Sequence, residues 1–297
     1  MNLMNKCMLC PRKCGTDRNV TKGLCGAGNN AIVARASLHN WEEPCISYKN
    51  GAGTVFFSGC NLHCCFCQNN KISNELFGKE ITDRQLADIF LRLQEIGADN
   101  IDLVTPTHFV QNIIKALDMI KHRLVVPVVY NCGGYELNET IAILDGYIDI
   151  YLPDLKYYSS EISAKYSKAP NYFDVASEAV LAMKKQVGKL RYNDEGGLIK
   201  GTIIRHMVLP SHRHDSIRII EWISENTSPD EVLVSIMNQY TPFDFIPDEF
   251  KELKRRVTKM EYHSVTDRAA ELGIKGFTQE KSSASEEYVP DFDLSGI

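Results

Sequence analysis

The chain alternates between strand-like and helix-like segments from residue 54 to about residue 272, and this alternation most limits its possible folds. Short apolar runs rich in β-branched and aromatic residues are each followed by a longer segment with apolar residues at helical spacing. The predicted strands are Thr54–Gly59, Asn100–Thr105, Pro127–Asn131, Tyr147–Leu152, Leu198–Leu209 and Val232–Met237. Because strands that alternate with helices form parallel sheets, we expect six β–α units in one sheet.

The number of units indicates the kind of sheet. Six units are fewer than the eight that close a full TIM barrel, so we expect an α/β fold with a partial (β/α)6 TIM-like barrel. A doubly wound sheet is the alternative, and in both folds the chemistry lies at the carboxyl ends of the strands. The chain then divides into a cysteine-rich N-terminal extension (residues 1–53), a core (54–277) and a serine- and acid-rich C-terminal tail (278–297).

The first helix carries the most specific helical pattern in the core. Apolar residues recur at helical spacing through Ile81–Gly97. Thr82 and Gln85 have the spacing of a capping box, and Gly97 is typical of a helix end. This segment therefore predicts one well-defined helix directly before the second strand.

Charge and hydropathy exclude several classes of protein. The formal net charge of −5 gives no electrostatic reason to bind nucleic acid. No apolar run approaches the ~20 residues that a membrane-spanning helix needs. The N-terminus has no apolar segment typical of secretion. We therefore expect a cytoplasmic protein without nucleic-acid or membrane partners.

Ten cysteines are unusual in such a chain, and they are clustered. Two clusters are present, Cys7, Cys10, Cys14 and Cys25 in the extension and Cys60, Cys64, Cys65 and Cys67 after the first strand, while Cys45 and Cys132 stand apart. The cytosol keeps thiols reduced, so disulfides are a poor explanation. Clustered cysteines indicate metal or iron–sulfur binding instead.

The central cluster begins at the carboxyl end of the first strand. Cys60, Cys64 and Cys67 have the spacing C-x3-C-x2-C. Three thiolates on one loop can hold three irons of a [4Fe–4S] cluster and leave the fourth iron open. Zinc is the competing interpretation, but no second cysteine pair follows to complete a structural zinc site. Plain buried thiols are the third, and a strand-end loop is a poor place for them.

The N-terminal cysteines form a second candidate site. Cys7, Cys10, Cys14 and Cys25 lie in a glycine-rich stretch whose backbone can wrap closely around a metal. Four thiolates can bind zinc or a second iron–sulfur cluster. Free or redox-active thiols are the alternative.

The central segment resembles the signature of the radical S-adenosylmethionine (SAM) superfamily, since Phe66 precedes the last of the cysteines Cys60, Cys64 and Cys67. In that superfamily the open iron chelates the amino and carboxylate groups of SAM. Reduction of the cluster cleaves the sulfonium and yields a 5′-deoxyadenosyl radical. The resemblance implies that Phe66 packs near the adenine and that Cys65 is not a ligand.

Three later segments resemble pyruvate formate-lyase activating enzymes, and they are Asn131–Gly134, Leu152–Lys156 and Arg205–Pro210. The resemblance implies that Asn131, Asp154 and Lys156 contact cofactor or substrate. Arg205 would meet the cofactor's carboxylate or ribose, which an Arg fork suits. Thr105 closes the second strand, where the superfamily binds the methionine amino group. A surface ion pair is the alternative for Asp154 and Lys156, and a helix-facing salt bridge is the alternative for Arg205.

The resemblance implies an oxidoreductase that cleaves SAM reductively and abstracts hydrogen from a substrate. That substrate would be a glycyl-radical enzyme, as for pyruvate formate-lyase activating enzymes, or alternatively a small molecule or a peptide. A non-catalytic zinc or iron–sulfur binding module is the third hypothesis. The implied electron donor is a protein such as flavodoxin or ferredoxin. No residue is assigned a catalytic role beyond cofactor and metal binding.

Overall fold

The computed structural model describes residues 6–279 and 290–297. The described strands are β1 (Ala31–His39), β2 (Ala52–Phe57), β3 (Lys79–Ile81), β4 (Ile101–Val104), β5 (Val128–Cys132), β6 (Ile150–Pro153), β7 (Arg191–Tyr192), β8 (Leu198–Met207), β9 (Val232–Met237) and β10 (Gly276–Thr278). The described α-helices are α1 (Asn70–Ser73), α2 (Asp83–Glu95), α3 (Val110–Ile120), α4 (Asn138–Ile143), α5 (Ser160–Ser167), α6 (Tyr172–Val187), α7 (Arg213–Asn226) and α8 (Lys259–Glu271).

The central strands form a parallel sheet that follows chain order. Its order is β2-β4-β5-β6-β8-β9-β10, and β1 and β3 continue it with antiparallel pairing beside β2. In the described part of the chain the two end strands, β3 and β10, do not pair with each other, so the barrel is open. The prediction of a partial TIM-like α/β barrel is confirmed, and each of the six predicted strands is present.

Helix α2 begins at the predicted capping box. The Thr82 side chain accepts from the backbone N–H of Gln85 at 3.2 Å, and the Gln85 side chain accepts from the backbone N–H of Thr82 at 2.9 Å. Leu86, Phe90 and Leu93 are buried along one face of this helix. The apolar residues recur at the helical period and therefore form one face of α2. This face packs against the outside of the sheet.

The N-terminal extension contributes a strand for which the sequence analysis predicted no element. Strand β1 pairs with β2 in the register Ala36↔Val55 and belongs to the same sheet as the core strands. The run Ala31–His39 lacks the clear alternation of a half-buried strand, because its first four residues are all buried.

The extension also closes the amino-terminal end of the barrel. The backbone N–H of Leu198, where β8 begins, donates to the Cys45 oxygen at 2.8 Å. Cys45 and Ile46 pack with inward-facing residues of four strands, Val129, Leu152, Ile203 and Leu233. Side chains alternate along a strand, so the residue two positions after each of these four faces the same barrel interior. It lies one layer nearer to the carboxyl ends of the strands.

The last described residues return to β1. The backbone N–H of Ala36 donates to Ser295 at 2.9 Å, and Phe292 is buried against Phe56. Residues 280–289 of the C-terminal tail lie outside the described residues. No helix in the described ranges has both the length and the apolar character to cross a membrane.

Candidate cofactor site

A cavity of about 740 Å3 lies at the carboxyl ends of the parallel strands. The nine residues that the sequence predicts for the cluster and for SAM all line this cavity, namely Cys60, Cys64, Phe66, Cys67, Thr105, Asn131, Asp154, Lys156 and Arg205. They come from the ends of five strands and the loops that follow. The parallel sheet therefore brings together residues that are up to 145 positions apart in the sequence.

The three cysteines of the central triplet share one wall of the cavity. Cys60 and Cys67 are partly exposed and Cys64 is buried. The Cys60 sulfur accepts from the backbone N–H of Leu62 at 3.4 Å, and Ser167 Oγ donates to the Cys64 sulfur at 2.9 Å. Burial, with the nearby Cys64 and Cys67 thiols, raises the pKa of Cys60 to about 12. Iron would therefore have to displace a proton from the Cys60 thiol when it binds.

These thiols fit an iron–sulfur cluster by their chemistry and position. In residues 6–279 and 290–297, no three Cys, His, Asp or Glu side chains converge on a position for a single metal ion. A cluster requires no such position, because each thiolate binds its own iron. The neighbouring Cys65 does not line the cavity, and its backbone N–H donates to the Tyr166 oxygen at 2.9 Å. Cys65 thus lies apart from the cavity that Cys60, Cys64 and Cys67 line.

Arg205 lies at the centre of a polar network on the opposite wall. Its Nε donates to Asp154 Oδ1 at 2.9 Å, and its Nη2 donates to Asn131 Oδ1 at 2.6 Å. Lys156 Nζ donates to Asp154 Oδ2 at 2.5 Å. Burial alone would raise the pKa of Asp154, but Arg205 and Lys156 outweigh it and hold that pKa below its ordinary value. The Asp154–Lys156 pair is mostly buried, with side chains 14% and 20% exposed, so it is not a surface ion pair.

Three acidic residues near Arg205 were missed by the sequence analysis. Glu42 Oε2 lies 3.5 Å from Arg205 Nη1, and Glu43 is buried beside it. Asp102 accepts from Asn131 Nδ2 at 3.3 Å, and its other oxygen, Oδ1, has no hydrogen-bond partner among the described residues. Burial raises the pKa of Glu43 to about 7. The one sequence signal was Asp102 itself, an acid inside the apolar strand β4.

Phe66 projects from the cluster loop into a group of aromatic rings. Its centroid lies 6.4 Å from that of Tyr157, 6.1 Å from Tyr166 and 5.9 Å from Tyr240, and each pair is edge-to-face. Such pairs stabilise one orientation of the ring. Phe66 is therefore held rigidly against the cavity.

Thr105 has an unusual backbone conformation where β4 ends. Its φ is +60°, in the left-handed region, and its N–H donates to the Asn131 oxygen at 2.8 Å. Non-glycine residues in this region cost roughly 1–3 kcal/mol and cluster at functional sites. The strand end at Thr105 therefore turns sharply beside the cavity.

The four N-terminal cysteines do not line this cavity. They lie behind the cluster loop, where the Cys25 carbonyl oxygen accepts from the backbone N–H of Cys60 at 3.2 Å. The extension thus contacts both ends of the barrel.

Among known proteins, the family model described as the radical SAM superfamily matches residues 54–223. The uncharacterized protein MJ0674 of Methanocaldococcus jannaschii is 29% identical over 283 residues, which cover 92% of this chain and 77% of that protein.

The solved structures with a similar fold include a methyltransferase and a peptide-bound protein. A radical SAM methyltransferase from Sphaerobacter thermophilus has a TM-score of 0.52 at 12% identity, over 77% of this chain and 66% of that one. SuiB from Streptococcus suis, bound to its precursor peptide SuiA, has a TM-score of 0.50 at 12% identity, over 74% of this chain and 46% of that one. The chain thus spans just under two thirds of the first structure and less than half of the second. At this identity the likeness concerns the fold alone, whereas the family model covers more than half of the chain, which belongs to the radical SAM superfamily.

Proposed function

We propose that this protein cleaves SAM reductively and uses the resulting radical to abstract hydrogen from a substrate. The observation that carries the proposal is the convergence of the cysteine triplet and six predicted cofactor residues on one cavity. When bound, a [4Fe–4S] cluster with SAM supplies the one-electron cleavage that gives the 5′-deoxyadenosyl radical.

The chain's own residues would hold and orient these groups. Cys60, Cys64 and Cys67 bind three irons, and Phe66 packs against the adenine. Arg205 offers its guanidinium to the SAM carboxylate, and its hydrogen bonds to Asp154 and Asn131 fix its direction.

Two further residues would complete the SAM contacts. The backbone turn at Thr105 would face the methionine amino group. Thr105 lies where β4 ends, and the superfamily binds that group at this strand end. Lys156, held by Asp154, provides a second positive charge in the same cavity.

The proposed substrate is a glycine residue of a glycyl-radical enzyme. Three segments that resemble pyruvate formate-lyase activating enzymes support it, and their residues Asn131, Asp154 and Arg205 form one hydrogen-bonded network. A small molecule or a peptide is the second candidate. A cavity of about 740 Å3 falls within the roughly 300–1,000 Å3 of typical ligand pockets, and bound cofactors would occupy part of it.

Reductive cleavage of SAM requires an electron from another protein. The electron comes from a flavodoxin- or ferredoxin-type protein, and the reaction takes place in the cytoplasm, where thiols stay reduced.

The test starts from wild-type protein reconstituted anaerobically with iron and sulfide and reduced with dithionite. We expect SAM to be converted to 5′-deoxyadenosine. A protein that holds iron and sulfide but releases no 5′-deoxyadenosine would be a binding module, and the proposal would be wrong.

The substrate requires a separate measurement. A glycyl-radical protein encoded beside this chain should develop the glycine EPR doublet when it is incubated with the reduced enzyme and SAM. Cofactor cleavage without this doublet would favour the small-molecule or peptide substrate.

A further inference from the structure

The four cysteines of the N-terminal extension come together in space. The sulfurs of Cys14 and Cys25 lie 3.6 and 3.5 Å from the point where a side chain on Gly23 would begin, so any residue other than glycine there would touch both. Cys14 lies within hydrogen-bonding reach of Cys7. The backbone N–H of Gly15, beside Cys14, donates to the Cys7 oxygen at 3.0 Å, and that of Lys13 donates to the Cys10 oxygen at 2.9 Å, so Cys7 and Cys10 lie on the same turn as Cys14. The four thiols therefore form one group, although they span 19 positions of the chain.

These sulfurs accept backbone hydrogen bonds in a repeated pattern. Cys10, Cys14 and Cys25 each accept from the N–H of the residue two positions later. Cys60 and Cys67 of the central triplet have the same bond to the residue two positions later. N–H groups aimed at sulfur stabilise thiolates and tune iron–sulfur centres. Three of the four N-terminal cysteines thus share this backbone contact with two cysteines of the central triplet.

Hydrogen bonds connect the group of N-terminal cysteines to the loop that carries Cys60, Cys64 and Cys67. Arg12, between Cys10 and Cys14 in the sequence, donates from Nε to the Asn61 oxygen at 2.7 Å and from Nη2 to the Ser167 oxygen at 2.9 Å. Arg12 also lies 5.4 Å from the centroid of the Tyr135 ring. The backbone bond from Cys60 to the Cys25 oxygen joins the two cysteine sets directly.

We propose that Cys7, Cys10, Cys14 and Cys25 bind a second iron–sulfur cluster, which passes single electrons to the first. Four thiolates occupy all four irons of a cube, so this cluster has no open position for SAM. The electron-transfer role rests on the proposed function. A flavodoxin- or ferredoxin-type protein loses one electron, the second cluster gains it, and the first cluster receives it in turn.

Counts of iron, acid-labile sulfide and zinc test the second cluster without any assay of activity. A Cys60, Cys64, Cys67→Ala variant removes the first site and leaves the extension intact. We expect it to keep about four irons and about four sulfides per chain. Replacing Cys14 and Cys25 by alanine in that same background should remove this iron. Cys65→Ala serves as the control for changing a cysteine that is not a ligand, and its iron and sulfide counts should match the wild type.

Two results would overturn the proposal. One is a triple variant that retains a single zinc ion instead of iron and sulfide, which would indicate a structural zinc site. The other is a triple variant with no bound metal, which would leave free thiols. Both results are independent of SAM cleavage, so they can be told apart from a failure of the proposed function. If the variant with all five cysteines replaced does not fold, the iron, sulfide and zinc counts of the triple variant still distinguish a cluster from zinc and from free thiols.

Discussion

Arg12 Nε donates to the backbone oxygen of Asn61 at 2.7 Å, and this bond joins the N-terminal extension to the loop that carries the cysteine triplet. The same guanidinium reaches the Ser167 oxygen, which lies on the far side of that loop. One side chain therefore fixes three segments that are distant in the sequence. The position of the cluster loop depends on the extension as well as on the barrel.

Replacing Arg12 by alanine should loosen the cluster loop. Hydrogen bonds to charged groups contribute about 1.5–3 kcal/mol each, and less where solvent reaches them. We expect iron bound by the triplet to be lost to a chelator several-fold faster than in the wild type. The exposed neighbour Lys13→Ala is the control. Equal rates of iron loss for both variants would mean that Arg12 does not hold the loop.

Gly59 should be essential to the approach between the two cysteine sets. Its φ is +91°, and a β-carbon there would overlap the Cys25 carbonyl oxygen. Gly146 has a similar φ of +80° but nothing within 4 Å of the same position. Both alanine substitutions carry the backbone penalty of roughly 1–2 kcal/mol, and Gly59→Ala adds the clash.

The difference in stability between these two variants measures the effect of the close contact between Gly59 and Cys25. Urea unfolding of the apoprotein should show a larger loss of stability for Gly59→Ala than for Gly146→Ala. If the two losses are the same, the close contact of Gly59 with Cys25 does not contribute.

Arg205→Lys should weaken SAM binding while keeping the positive charge. Lysine lacks the planar fork that bonds Asp154 and Asn131 at once, so it cannot hold its charge in the same direction. We expect a dissociation constant about tenfold higher, or ~1.4 kcal/mol. Equilibrium dialysis of reconstituted protein measures it, with Arg191→Lys on strand β7 as the control. An unchanged constant would remove Arg205 from the SAM contacts.

Glu43 should make the folded state less stable as the pH rises. Burial raises its pKa from the ordinary 4.5 to about 7, so the folded protein keeps a proton that the unfolded chain has lost. The contribution of this proton to the free energy of unfolding is fully present below pH 4.5 and falls between pH 4.5 and 7. Its size is about 3 kcal/mol.

The variant Glu43→Gln tests this dependence, because glutamine resembles the protonated acid. Unfolding free energies of the apoprotein at pH 5 and pH 8 should differ less in the variant than in the wild type. The same difference in both proteins would show that Glu43 does not titrate in this way.

Features that depend on local patterns could be predicted from the sequence. The six strands follow from alternation, and the start of α2 follows from the spacing of Thr82 and Gln85. The cavity residues were predicted from the resemblance to radical SAM enzymes, and their convergence follows because parallel strands place their carboxyl ends together.

Contacts between segments that are distant in the sequence could not be predicted from local patterns. Glu42 meets Arg205 although 163 positions separate them, and nothing near Glu42 indicates this. Strand β1 was missed because it pairs antiparallel with β2 and has no helix after it. Neither contact has a local signature, since each depends on how the whole chain closes.

The central claim is tested most directly by two adjacent cysteines. Cys64 lines the cavity and Cys65 does not, although they are neighbours in the chain. Each is replaced by alanine, and 5′-deoxyadenosine is measured after anaerobic reconstitution and reduction with SAM. We predict that Cys65→Ala forms 5′-deoxyadenosine at a rate close to that of the wild type and that Cys64→Ala forms none. A Cys64→Ala variant as active as Cys65→Ala would contradict this account.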